Sequence, residues 1–215
     1  KRRLQALVYG HLVDGCDDPR MPTIAGLRRR GFTASAIRNF VKSVGYTRNV
    51  TTCIPYERLE FIQSQEFDEN APRAFCVLDP IKVIIEDMEE GEIFDVEAPL
   101  FPKNPEKGTR KMKFSHIIYI DRDDYQENPE KGFKRLTNTN HVGLKYANIQ
   151  IKVKQVIKRE NLITEIICQK TDKKAQAYIH WVSEGCKQAE VRLYNQLFKS
   201  EDPMSVLGDW KTDLS

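Results

Sequence analysis

Neither sign of charge dominates this chain. Its 215 residues carry 34 lysines and arginines against 31 aspartates and glutamates. The resulting net charge of +3 is too small for the surface as a whole to attract a polyanion. Any nucleic-acid contact must come from where the basic side chains cluster, because local patches do the steering. Long apolar runs are missing too, and no stretch approaches the roughly 20 residues that span a bilayer. The opening KRRLQALVYG has a basic head but neither a sustained apolar core nor a cleavage site, so a cytoplasmic location is expected. Cys16, Cys53, Cys76, Cys168 and Cys186 are far apart, odd in number and form no CxxC pair. That pattern argues for reduced thiols, each expected to be buried and structural, and His11, His116, His141 and His180 show no metal-ligand spacing. Absence of GxGxxG, GxxxxGK[ST], GxSxG and HExxH removes the commonest signatures of dinucleotide, nucleotide-phosphate, serine-hydrolase and zinc-protease chemistry.

What is present is a hydrophobic content of 40% beside 30% charge, enough for packed cores. The first third reads helical. Thr23 is placed to cap IAGLRRR, and Gly31 to end it in the left-handed conformation that glycine tolerates. Thr33 is placed to cap the next helix, whose Ile37, Phe40, Val41 and Val44 fall at i, i+3, i+4 and i+7, with Gly45 at its end. A third helix is expected from Pro55 through YERLEFIQSQEF. Beyond DENAPRA the period changes to two. IKVII alternates, and MKFSHIIYI sets Met112, Phe114, His116, Ile118 and Ile120 on one face of a strand. NIQIKVKQVIK sets Ile149, Ile151 and Val153 against Gln150, Lys152 and Lys154. RENL reads as a turn into ITEIICQ, and AYIHWVS and EVRLYNQLF read as the last strands, the latter with helical character too. A helical block followed by many short strands implies separate all-α and all-β modules.

Two acidic sets invite a catalytic reading. Asp17 and Asp18, in GCDDPRMP, and Asp121, Asp123 and Asp124, in YIDRDDY, both suit turn and cap chemistry better. His180 and Trp181 alternate in YIHWVS, one toward the core and the other toward a groove. The basic residues are distinguished by their company. Arg73 stands at a helix-to-strand boundary in NAPRAF, Lys134 and Arg135 follow Phe133, and Lys145 precedes Tyr146. Such sets suit single-stranded RNA, whose bases stack on aromatic rings while Arg bonds their edges and Lys neutralises phosphate. They equally suit an ordinary exposed strand.

KRRL followed by DGCDDPRMPTIAGLRRRGFTASAIRNF resembles the segment after the catalytic lobe in class I glutaminyl-tRNA synthetases. DENAPRAFCVLDPIKVIIED, YIDRDDYQENPEKGFKRLT, HVGLKYANIQI, YIHWVS and VRLYNQLF then match, in order, the anticodon-binding half of that family, and the PEKGFKRLT…VGLK form is similar to its eukaryotic members. The resemblance implies an α plus all-β multidomain fold: a helical subdomain over 1–69, a proximal anticodon-binding β-barrel drawing on 70–80 and 188–215 and left incomplete, and a distal barrel over 81–187. It implies a lobe upstream of Lys1 that ligates glutamine to tRNA with ATP and Mg2+, leaving this portion without catalytic or metal-binding residues of its own. Lys1 falls on the KMSKS-type loop that steadies ATP phosphates. Arg73 falls on the reader of the middle anticodon base, and Arg135 on the residue meeting the third base, a guanine, whose O6 and N7 its fork suits. Lys134 and Lys145 accompany them, and Thr47, Arg48, Arg28 and Arg30 fall along the inner corner of the tRNA. Bacterial members carry two arginines where this chain has Gly143 and Lys145, so Lys145 is expected on a phosphate. Expected partners are glutamine tRNAs, with glutamine and ATP in the upstream lobe. The chain is expected to be monomeric, with membership of a multi-synthetase complex left open. A glutamyl-tRNA synthetase and a non-catalytic RNA-binding derivative are the rival readings.

Overall fold

The computed structural model describes residues 2–46, 54–200 and 209–214. The chain separates into two units, Lys1–Ala71 with Arg192–Ser215, and Pro72–Val191. Lys1, Thr47, Arg48 and Cys53 lie outside the described residues.

Among the described residues the first unit holds four α-helices, α1 (Arg2–Tyr9), α2 (Ile24–Arg30), α3 (Ala34–Val44) and α4 (Tyr56–Asn70). The caps fall where the sequence puts them. Thr23 accepts from the Gly26 amide and Thr33 from the Ala36 amide, each satisfying a donor that the helix leaves open. Gly31 ends α2 at φ 104°, a region that side chains disfavour. Helices α3 and α4 are laced together by polar contacts: the Thr33 amide donates to Gln63 Oε1 at 2.8 Å, and the Thr33 hydroxyl to Glu66 Oε2 at 2.9 Å. Arg2–Tyr9, for which the sequence reading sets out no separate helix, forms α1 because Leu4, Leu7 and Val8 share one face; with Val13 and Met21 they pack against Leu197, Phe198, Trp210 and Leu214. EVRLYNQLF is neither strand nor helix. Val191 and Leu193 are exposed while Leu197 and Phe198 anchor the segment, and a lone bridge joins Phe198 to Leu214.

The second unit is built on nine strands: β1 (Pro80–Ile85), β2 (Ile93–Pro99), β3 (Thr109–Ser115), β4 (Ile117–Asp121), β5 (Val142–Leu144), β6 (Ile149–Arg159), β7 (Leu162–Lys170), β8 (Tyr178–Ile179) and β9 (Val182–Ser183). Seven form a mixed sheet in the order β8-β5-β6-β7-β1-β4-β9, and β2 pairs with β3 alone. The edge strands β8 and β9 are separated by His180 and Trp181 only. Two extended residues span about 7 Å, so the sheet must curl until its two edges meet. AYIHWVS is thus two short strands, bent to serve both edges. The expected strand MKFSHIIYI is also broken. β3 belongs to the two-stranded ribbon and β4 to the curled sheet, because the Ser115 hydroxyl bonds the Ile117 carbonyl and the His116 carbonyl takes the Ile85 amide. Its inward face is as read, with Phe114, Ile118 and Ile120 buried. The β6–β7 hairpin turns on Glu160 and Asn161, both at positive φ (51° and 64°), the geometry of a tight two-residue hairpin.

Trp181, Phe114, Ile118, Ile120, Leu136, Leu144, Ile151 and Ile166 fill the interior, each contributing about 1.5–3 kcal/mol by leaving water. Among the five cysteines, the structural expectation holds for Cys168, whose thiol burial pushes up to about 12; Cys16, Cys76 and Cys186 are exposed instead, lying on loops and irregular segments. Among the described residues no helix is long and apolar enough to cross a membrane.

Asp18 is the electrostatic pin of the first unit. It is 1% exposed, and takes hydrogen bonds from Arg20 Nε and Nη2 (3.1 and 2.8 Å) and from the Asp14 and Arg20 amides. The Arg20 side chain holds its carboxyl far below the usual carboxylate range, outweighing burial. Asp18→Asn is expected to cost about 2–3 kcal/mol in denaturant unfolding at pH 7. Because the folded pKa is depressed, that contribution is complete above the unfolded value near 4 and fades as pH falls toward the folded one, so the gap between the two proteins should close in acid.

Candidate nucleic-acid interface

Of the basic residues singled out in the second unit, Lys145 joins an aromatic cluster and Arg73 lies two residues from its hub, while Lys134 and Arg135 stand on a separate loop. Arg73 follows Pro72 in an extended segment, and its amide donates to the Leu100 carbonyl at 2.8 Å. Two residues on, Phe75 is the hub. Its ring stacks on Tyr146 (centroids 5.9 Å apart, planes 12°) and meets His180 at 5.9 Å and the edge of Trp181 at 6.1 Å. Arg110 lies 5.0 Å above the Phe75 ring, and the Lys145 ammonium lies 5.5 Å from the Tyr146 centroid. The rings offer their electron-rich faces to these cations. His180 fixes the same segment by bonding the Cys76 carbonyl at 2.8 Å, while Trp181 is buried and donates to the Lys145 carbonyl at 3.0 Å. The alternation read in YIHWVS is therefore realised, with Trp181 in the core.

Tyr146 sits at φ 69°, an uncommon backbone for an aromatic residue. Its stack on Phe75 and the Trp181 bond to the preceding carbonyl over-determine that conformation. Arg110 is a feature the sequence reading missed. Its Nε and Nη2 are buried and lack a hydrogen-bond partner among the described residues, and burial lowers its pKa, although the group stays charged. An arginine in TRKMKF, on the half-buried face of a strand, was the available signal.

Arg135 and Lys134 are exposed on the loop after Phe133. Arg135 Nη1 contacts Asp124 Oδ1 at 2.7 Å; the arginine side chain is 52% exposed and the carboxylate 6%. Burial raises the Asp124 pKa, while Arg135 and His180 pull it down. The sequence reading treated Asp124 as a turn former. It does close the helical turn Arg122–Asp124, and it carries this ion pair as well.

A side chain at Gly143 would need the space that the exposed Tyr178 ring now occupies, so the ring would have to move. Tyr178 thus fills the space beside the position where the bacterial pattern has an arginine. In the first unit the three successive arginines divide. Arg29 pairs with Asp17 at 3.3 Å, and Arg30 pairs with Glu60 at 2.9 Å and lies over Tyr56. Arg28 is exposed and has no ion-pair partner among the described residues. Among those residues, too, no group of three or more His, Cys, Asp or Glu is placed to hold a metal ion.

Residues 71–171 match the family described as tRNA synthetases class I (E and Q), anti-codon binding domain, and residues 178–213 match a second anti-codon binding domain of the same class. Residues 1–69 match the catalytic domain of that class. The chain is 44% identical over 215 residues to a glutamine–tRNA ligase of Proteus mirabilis, covering 94% of the chain and 38% of the relative. It is 41% identical over 218 residues to the corresponding protein of Vibrio campbellii, covering 96% and 39%. For Serratia proteamaculans the identity is 42%, with the same shares as for Vibrio campbellii. The chain spans about two fifths of the length of these relatives.

Phe75→Leu keeps apolar volume while removing the ring contacts. It should lower the stability of the second unit by about 1 kcal/mol, the scale of one aromatic pair, in denaturant unfolding followed by Trp181 fluorescence.

Proposed function

We propose a function from a single premise: the chain belongs to the class I (E and Q) tRNA synthetases and carries their anticodon-binding domains. Its second unit grips the anticodon loop of a glutamine tRNA, and its helical unit follows the inner side of the tRNA. The observation that carries this reading is the cluster in which Arg110 and Lys145 lie on the Phe75 and Tyr146 rings, Phe75 being two residues from Arg73, with Arg135 held separately by Asp124. Arg73 meets the middle base. Arg135 meets a guanine at the third, where its Nε–H and second Nη–H edge can donate to O6 and N7. Lys134 and Lys145 neutralise phosphates nearby. The inner-corner set is Thr47, Arg48, Arg28 and Arg30; of the two described, Arg28 is the one free to meet RNA, since Arg30 is already paired.

The division into a helical subdomain (1–69), a proximal barrel drawing on 70–80 and 188–215, and a distal barrel (81–187) is part of this reading. So is a cytoplasmic, monomeric enzyme that, as a whole, joins glutamine to tRNA through an adenylate. There Lys1 would steady the phosphates of ATP and Mg2+ would accompany them. The anticodon end contributes to catalysis by docking the tRNA in register, because misplacement at one end is felt as lost orientation at the other.

Two measurements test it. The chain should bind an anticodon stem-loop ending in UUG more tightly than one ending in UUC, by about 1–3 kcal/mol at fixed salt, and Arg135→Ala should erase the difference. Equal binding of the two loops would refute the assignment. Separately, Arg28→Ala should reduce the slope of log affinity against log salt for whole tRNA by roughly 0.7–0.9, the signature of one phosphate contact.

A further inference from the structure

A base-reading arginine is only as selective as its guanidinium is well aimed. Arginine carries about 2 kcal/mol of rotamer entropy, and a freely moving fork can donate to many acceptors. Arg135 is held at two levels. Its neighbour Leu136 is fully buried, and the Leu136 amide donates to the Asp124 carbonyl while its carbonyl accepts from Gln126, both at 3.1 Å. This zips the segment bearing Arg135 to the one bearing Asp124, and Tyr125 pairs with Leu136 in a parallel bridge. The Tyr125 hydroxyl closes the loop beyond, donating to Asn138 Oδ1 at 2.8 Å.

The side chain is then fixed by the buried carboxylate. Asp124 Oδ1 takes Arg135 Nη1, and Asp124 Oδ2 is buried with no hydrogen-bond partner among the described residues. A carboxylate serving only as a turn former would keep both oxygens bonded or in water, because a buried polar atom without a partner is costly. Here that cost accompanies a contact that uses one nitrogen of the guanidinium and leaves its Nε edge open. We propose that Asp124 is a positioning residue for anticodon selectivity: it orients the Arg135 guanidinium so that its free edge is presented to the third base, rather than binding RNA itself. This rests on the reading of Arg135 given above.

The consequence is a split between selectivity and affinity. Asp124→Asn removes the charge that aims the fork but keeps Arg135 and its attraction for RNA. The preference of the chain for a UUG over a UUC stem-loop should fall about tenfold, the scale of one side chain set free, with affinity for the UUC loop little changed. In the background of Arg135→Ala, Asp124→Asn should change the ratio no further. Thermal unfolding of each protein controls for stability. If the asparagine chain does not fold, Asp124→Glu keeps the charge and displaces it by one methylene, and it should also lower the ratio.

A wild-type ratio near one refutes the base-reading role of Arg135 and the positioning role with it. A wild-type preference that is lost in Arg135→Ala but kept in Asp124→Asn, or kept in Asp124→Glu where that variant is used, overturns the positioning role alone. So does an equal loss from Asp124→Asn with and without Arg135.

Discussion

The second unit depends on one short segment that must serve two distant strands. Residues 178–183 pair with β5 through β8 and with β4 through β9. The curl of the sheet follows from that double duty. Trp181, in the middle of the segment, puts its indole into the core against Phe114 at 4.7 Å and spends its one N–H on the Lys145 carbonyl. His180, its neighbour, faces the other way and holds the segment that carries Arg73. Lys145 and the segment that carries Arg73 are therefore appended directly to the closure of the fold. Packing at the seam and aim at the surface cannot vary independently.

Charge in this protein is arranged to be directional rather than abundant. With nearly balanced totals, many cations of interest already have an acid beside them: Arg29 has Asp17, Arg30 has Glu60 and Arg135 has Asp124. The exposed pairs among them, Arg29–Asp17 and Arg30–Glu60, add little stability. What each pair does is restrict where a long side chain points. Arg110, by contrast, is held by the Phe75 face. The orientation of these side chains is thus set by fixed local geometry rather than by a broad positive field.

Much of this was legible in the sequence because local chemistry decided it. Helix caps at Thr23 and Thr33, the stop at Gly31 and the Glu160–Asn161 turn depend on neighbours within a few residues. So does the alternation of β6 as far as Val153, where a bulge resets the phase toward Val156. The parts that escaped are those fixed by partners far along the chain. No pattern in MKFSHIIYI announces that Ser115 and His116 divide it between two sheets, since the division is imposed by Ile85 on another strand. The second role of Asp124 depends on Arg135, and the stack on Phe75 assembles residues 75, 110, 146 and 180. Periodicity carries no record of such meetings.

Closure by a late segment also has a temporal side. A ribosome makes β1 through β7 before residues 178–183 exist, so the sheet's two outer strands lack their final neighbours until those residues follow. Contacts of such long sequence separation are slow to form, and unpaired strand edges are adhesive while they wait. β5 is three residues long and β4 five. Short edges offer a stray strand little to grip, a protection that matters most during synthesis, before Trp181 is there to lock the seam.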